Sequence, residues 1–445
     1  MKNYTISEYG CIGLKDSYNK PKNFVSAIIS RSEFNELKQY YNTNKEEVQS
    51  IFDFNNGDDF FKAKSYVGVI QTANVSLEIL PKIYENENSD KNNIRNIFIE
   101  MLKPVIDIND IQVKEADLSF TSNNNILEIF IELFVKSVNN LIKKGLKSEY
   151  VSKEDNQYFL KGKLKFNEHI KRNYIHKERF FVEYDEYIQN RAENRLIKSA
   201  IKLLLKRTST VENKKSLRQQ QFIFDAVDTS YDIEKDIKKI NLHRGMKHYA
   251  VPLRFCEVFL KHKSFTSMRG KDNVFALLFP MQTVFEKYME LVLENSKEEL
   301  GIKQVFVNGY SDDFLLTSNI ESDFSKSMAI INQEPDYLLE MQDDKKIITD
   351  AKWKILDVKE VDDEEKISIA SNDAYQIFSY LNYYTNVLST AYIFAPSSLK
   401  FAKKQEMHYV NQEKKAMSQS IVVIPINLQE VTKTHKLKEN IFTQT

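Results

Sequence analysis

Apolar and polar residues repeat with different periods in successive parts of the chain. Near the N-terminus the pattern is that of strands. Residues 24–30 form a short apolar run, and 66–71 and 75–79 are β-branched runs separated by Thr72, Ala73 and Asn74. That spacing predicts a hairpin. Leu77 and Ile79 alternate with Ser76 and Glu78, which predicts a half-buried strand ended by Pro81. The polar stretch 85–93 predicts a loop. A helical period then takes over. Ile94, Ile97, Phe98, Met101 and Leu102 share a face, as do Ile126, Ile129, Phe130, Leu133, Phe134, Val138, Leu141 and Ile142. Residues 150–263 read as mostly helical, with a polar break at 208–216, and a helix over 279–295 opens the last region. The outline is an α+β multidomain chain: a β-rich N-terminal region with helices (1–145), a mainly helical middle region (146–264), and a C-terminal α/β core with a mixed central sheet (265–445).

That last region holds the pattern richest in chemistry. Pro335 and Asp336 are followed, after thirteen residues, by Asp350, Ala351 and Lys352. Between them lie the apolar runs 337–339 and 347–349, with polar residues 340–346 in the middle, which predicts a strand, a turn and a strand. Residues of equal parity share a strand face, so Asp350 and Lys352 point one way and Ala351 and Trp353 the other. A proline at the head of a strand is tolerated because it need not donate to the ladder. Two carboxylates and a lysine in this spacing suit phosphodiester hydrolysis. Mg²⁺ takes oxygen ligands, commonly one or two carboxylates plus waters and phosphate oxygens. Asp336, Asp350 and the Ala351 carbonyl are the candidate metal ligands. Lys352 is placed to orient a water or to stabilise charge developing at phosphorus. A PD-(D/E)xK core needs further elements around this hairpin. The candidates are a preceding strand at 304–307, a helix at 372–384, and strands at 390–395 and 420–424, the last interrupted by Pro425. Two accessory candidates follow. Glu286 lies on the 279–295 helix, beside its main apolar stripe. Gln376 and Tyr380 are four residues apart, on one helix face.

Composition narrows the setting. At 445 residues the chain has room for two or three domains, and 42% hydrophobic with 28% charged residues is ordinary for a soluble globular protein. Two cysteines, Cys11 and Cys256, are too few for a Cys-rich zinc site or a disulfide framework and fit a reducing cytoplasm. No signal-peptide run opens the chain, and no stretch approaches the roughly 20 apolar residues of a membrane span. A cytoplasmic protein without membrane contact is expected. The net charge of +0 conceals a basic segment: 143–179 carries eleven Lys/Arg against five Asp/Glu. Such a run is either a solvated surface or a phosphate-facing one. There is no G-x-x-x-x-G-K-[ST] motif, so the chain is not expected to hydrolyse nucleotides itself.

With these motifs in view, the sequence resembles the McrC family, the nuclease subunits of McrBC-type restriction systems in the PD-(D/E)xK superfamily. The resemblance rests on residues 66–71 (YVGVIQ), 78–82 (EILPK), 162–166 (GKLKF) with 168–170, 176–180 (HKERF) to Asp185, and 194–197 (NRLI). It continues through 277–281 (LLFPM) with Phe285 and Glu286, and 350–354 (DAKWK). It implies that the N-terminal region docks on a hexameric, GTP-driven McrB-like AAA+ motor and stimulates it. It also implies that the C-terminal domain cleaves double-stranded DNA with Mg²⁺, through Asp336, Asp350 and Lys352. The sequence departs from the family at Lys161, where arginine is expected, and in the segments 357–373 and 403–418, which read as insertions. Related systems work beside methyltransferases encoded nearby, so a methylated and an unmethylated target both stay open. Two other readings are kept: a non-catalytic adaptor that activates the motor, and a motor-independent PD-(D/E)xK nuclease of repair or transposition.

Overall fold

The computed structural model describes residues 1–14, 26–55, 59–83, 90–108, 125–261, 274–309, 314–317, 329–332, 334–354, 357–361, 364–398, 401–438 and 441–442. Part of the 24–30 run and most of the 85–93 stretch lie outside these residues. The chain forms two compact units, Met1–Gln112 with Arg269–Thr445, and Val113–Met268. Contacts thus join the two ends of the chain, which the reading as three consecutive regions kept apart. The architecture is mixed α/β with several mixed sheets, in keeping with an α+β class. Among the described residues no helix is long and apolar enough to cross a membrane.

The first unit contains a four-stranded sheet of β1 (Lys2–Ser7), β2 (Tyr66–Gln71), β3 (Val75–Leu80) and β4 (Phe275–Pro280), in the order β1-β3-β2-β4. β2 and β3 form the expected antiparallel hairpin. β3 is buried at all six positions, not on one face. The reason is the helix α1 (Lys91–Leu102), which puts Arg95 against the polar side of the strand. Its guanidinium grips Glu78 with both Nε (2.9 Å) and Nη2 (2.6 Å). A bidentate pair satisfies the buried charge that alternation alone assigns to water. Asp90 caps α1 by accepting from the Asn92 N–H. A second sheet, of Cys11–Leu14, Ala27–Ile29, Phe52–Asn55 and Phe60–Ala63, accompanies a helix at Arg31–Thr43 that starts with a Ser30/Glu33 capping box.

The helix expected over 279–295 begins later, as α2 (Met281–Asn295). Phe279 and Pro280 instead finish β4, whose apolar residues pair with β2. An apolar strand running straight into an apolar helix face leaves no polar break to mark the junction. Pro280 offers no capping side chain, and the Met281 N–H is taken by the Ser65 carbonyl at 3.1 Å.

The central sheet has six strands: β5 (Ile302–Val307), β6 (Tyr337–Met341), β7 (Lys346–Ala351), β8 (Thr390–Pro396), β9 (Gln405–Val410) and β10 (Ala416–Ile426), in the order β5-β6-β7-β8-β10-β9. β6 and β7 are antiparallel, with Tyr337 opposite Thr349, and β7 runs parallel to β8, with Asp350 opposite Ile393. The crossover between those parallel strands contains helix α3 (Ser371–Tyr383). Ile377, Tyr380 and Leu381 of α3 pack on Leu338, Ile348, Ala391 and Ile393 of the sheet. β10 passes through Pro425 without a break. β9 pairs with β10 only up to Val423, so Pro425 faces β8 alone and removes no ladder bond on that open side. The segments 357–373 and 403–418 contribute ordered strands: Asp357–Val361 pairs with Glu364–Ser368, and β9 lies against β10.

In the second unit a correction is needed to the mostly helical reading of 150–263. Glu149–Gln157 and Phe180–Ile188 form a long antiparallel pair joined by Lys163–Leu164. Positions 150–154 of the first strand are all exposed, so it has no apolar alternation to betray it. Helices follow, including Ala192–Arg207, Val211–Ile223 and Ala250–Leu260. The polar break is shorter than expected, confined to 208–210. The buried Glu128 replaces the missing helical partners there by accepting from Thr208 Oγ1, Ser209 N and Thr210 Oγ1.

Candidate active site

The site lies where β6 begins and β7 ends, at the ends of two interior strands of the first unit's central sheet. Antiparallel pairing of Tyr337 with Thr349 brings Asp336, just before β6, level with residues 350 and 351. Asp336 Oδ2 accepts the Ala351 N–H at 2.8 Å. Lys352 Nζ stands 2.8 Å from Asp350 Oδ2. Asp350 is 2% exposed, and its Oδ2 is buried without a well-directed hydrogen bond, so that contact is an ion pair. The three residues singled out from the sequence are therefore brought together, with Asp350 and Lys352 on the same side.

The electrostatics follow from crowding two acids in a dry corner. Burial raises the Asp350 pKa, and the neighbouring Asp336 charge raises it further, against the pull of Lys352. Asp336 is also raised by burial, with the Ala351 N–H and Lys352 opposing and Glu286 adding to the rise. Burial pulls Lys352 down, but Asp350 and Asp336 outweigh it and hold the ammonium above its ordinary value. One cation stands beside a buried and a half-buried carboxyl, and a further cation would favour the ionised form of both. No group of three or more His, Cys, Asp or Glu side chains with metal-binding geometry occurs among the described residues. A metal here would rest on two carboxylates, backbone and water, the coordination Mg²⁺ accepts.

The accessory candidates sit close by. Glu286 is half-buried on α2, where it accepts from Gln282 Nε2 at 2.7 Å. Its backbone carbonyl accepts from the Tyr337 hydroxyl. Gln376 donates to Tyr380 Oη at 2.7 Å, and that hydroxyl donates to the Glu334 carbonyl, two residues before Asp336. Burial and the Asp350 charge push the Tyr380 hydroxyl up to about 12.

Sequence reasoning missed two participants, Gln282 and Glu8, and the contacts of Trp353, which it places opposite Lys352. Gln282, in the first turn of α2, donates to the Ala351 carbonyl at 2.6 Å and accepts the Trp353 N–H at 2.8 Å. Trp353 turns away from Lys352, packs on Phe285 at 5.6 Å between ring centres, and donates its indole N–H to Glu8 at 3.0 and 3.2 Å. Gln282 carried one readable signal, its position one helical turn before Glu286. Glu8 carried none.

An α+β chain with a buried aspartate, a half-buried one and a lysine gathered at the junction of paired strands defines a class of protein with an acid–acid–lysine centre. A family model described as McrBC 5-methylcytosine restriction system component matches residues 61–395, and the chain belongs to that family. It is similar to a chain of the refined half-complex from the tetradecameric assembly of Thermococcus gammatolerans McrB AAA+ hexamers with bound McrC. The identity is 19% and the TM-score 0.64, with 98% of this chain and 99% of that chain covered. It also matches a chain of the cryo-EM structure of the Thermococcus gammatolerans McrBC complex, at 21% identity and TM-score 0.49, over 66% of this chain and 88% of that one. No curated protein matches the chain. The first structural likeness speaks for the fold over nearly the full length.

Proposed function

We propose that this restriction-system component is the DNA-cleaving subunit, with Asp336, Asp350 and Lys352 as a PD-(D/E)xK triad in a nuclease domain formed around the central sheet. The observation that carries this reading is the meeting of Lys352 with a buried, incompletely satisfied Asp350, beside Asp336 on the adjoining strand. Asp336 and Asp350 would hold Mg²⁺, with the Ala351 carbonyl as a further ligand; that carbonyl accepts from Gln282 and keeps a second lone pair. Bound there, Mg²⁺ supplies Lewis-acid polarisation of a scissile phosphate and lowers the pKa of water. Lys352 offers an ammonium to the phosphate or the attacking water, and α3 closes one side of the site through Tyr380 and Gln376.

The partner is by this reading a McrB-like AAA+ GTPase, bound through the N-terminal region, and the substrate is double-stranded DNA in the cytoplasm. The likeness to a structure of McrB hexamers with bound McrC supports the partnership. The test is Asp350→Ala in the full chain, assayed with its motor and nucleotide. Cleavage should fall about a hundredfold or more, while binding and stimulation of the motor persist. An Asp350→Ala protein that still cuts would remove Asp350 and the triad from the reaction.

A further inference from the structure

The backbone that carries Lys352 is held from several directions, and some of the holders are remote in sequence. The Ala351 N–H goes to Asp336 and the Lys352 N–H to the Phe394 carbonyl at 2.9 Å. The Ala351 carbonyl and the Trp353 N–H both go to the Gln282 amide, which pairs with the strand end as a neighbouring strand would. Just beyond, the Trp353 indole is fixed by Glu8, 345 residues earlier. Glu8 is itself 2% exposed and receives the Ser65 hydroxyl (3.1 Å) and the Lys82 N–H (2.9 Å). Ser65 is a shared brace: its hydroxyl holds Glu8, and its carbonyl takes the first N–H of α2, the helix that carries Gln282.

We propose that Glu8 and Gln282 are positioning residues for Lys352, clamping residues 351–353 so that the N-terminal sheet becomes part of the support of the cleavage site. The proposal rests on the nuclease reading above. Its physical basis is that a lysine is a point charge on a flexible four-carbon stem. Its ammonium is placed only as well as the backbone beneath it, and about 1 Å of misplacement costs on the order of a hundredfold in rate. A buried carboxylate is costly unless hydrogen-bonded. Glu8 meets that condition only with its donors in place, so the clamp holds Glu8 as firmly as it holds Trp353.

Trp353 is the chain's one tryptophan, so its emission reports the clamp directly. Trp353→Phe, Gln282→Ala, Glu8→Gln and Glu8→Ala are compared in the full chain, with cleavage read with the motor and nucleotide and emission read on the chain alone for the three variants that keep Trp353. Trp353→Phe and Gln282→Ala should lower kcat for cleavage about tenfold or more, leaving KM for DNA unchanged. Glu8→Ala should shift the emission to the red and lower kcat similarly. Glu8→Gln keeps an acceptor and should restore both emission and rate. Trp353→Phe removes the indole N–H and part of the ring but keeps an aromatic side chain on Phe285, so it tests the idea even where Glu8→Ala fails to fold. Folded Trp353→Phe and Gln282→Ala proteins that cut at the wild-type kcat overturn the positioning role, and, with Asp350→Ala inactive, leave the nuclease reading standing. An active Asp350→Ala protein overturns the reading beneath it.

Discussion

Glu8 shows how far burial alone can move one carboxyl. Its pKa is pushed from the ordinary 4.5 to about 7, because desolvation outweighs the donors from Lys82, Trp353 and Ser65. A raised folded-state pKa means that the fold prefers the protonated form. The stability this contributes is present in full below about 4.5 and is lost as pH rises through about 7. Glu8→Gln keeps the shape and removes the charge. Its thermal midpoint should therefore gain on the wild type as pH goes from about 5 to about 8, by a stability difference of order 3 kcal/mol at most. A constant difference across that range would show that Glu8 stays ionised. At this scale the meeting of Asp336, Asp350 and Lys352 was legible, since the three lie on one short hairpin whose parity and turn can be read locally. Glu8 and Gln282 were not, because a partner hundreds of residues away leaves no mark on the neighbouring pattern.

Among the elements, β2 and β4 approach closely at Gly68. Gly68 on β2 has φ +143°, and a Cβ there would lie 1.9 Å from the Leu277 carbonyl oxygen. That pairing sets where β4 ends and α2 begins. Gly68→Ala should force the strands apart, lowering the thermal midpoint by a shift equivalent to about 2 kcal/mol or more. It should also red-shift Trp353 emission as α2 moves. A Gly68→Ala protein with wild-type midpoint and emission would mean that the strand absorbs the methyl without yielding. The hairpin β2–β3, the helices α1 and α3 and the strands β6 to β8 were legible because their periods are clean. The strand at Glu149–Gln157 was not, since it is held by its backbone pairing with Phe180–Ile188 while most of its side chains face water. β3 was legible as a strand and misjudged in burial, since Arg95 lies on a helix that alternation cannot see.

For the whole molecule, the consequence of joining both ends of the chain in one unit is a fragment that lacks its support. Residues 269–445 alone would leave β4 without β2 and Trp353 without Glu8. That fragment should show no cooperative unfolding and no native near-ultraviolet signal from Trp353, and co-expression with residues 1–112 should restore both. A fragment that folds cooperatively by itself would make the N-terminal sheet dispensable to the site. The amino-acid sequence by itself determined the elements with a clean period, such as the β2–β3 hairpin, α1 and α3, and that two acids and a lysine share a hairpin, because backbone period and turn chemistry act over a few residues. Only the tertiary structure decided that β4 leaves its neighbours to join the N-terminal sheet, that Gln282 and Glu8 close around Trp353, and that Asp350 is buried. Those outcomes depend on which distant surfaces exclude water together, and no local stretch of residues encodes that choice.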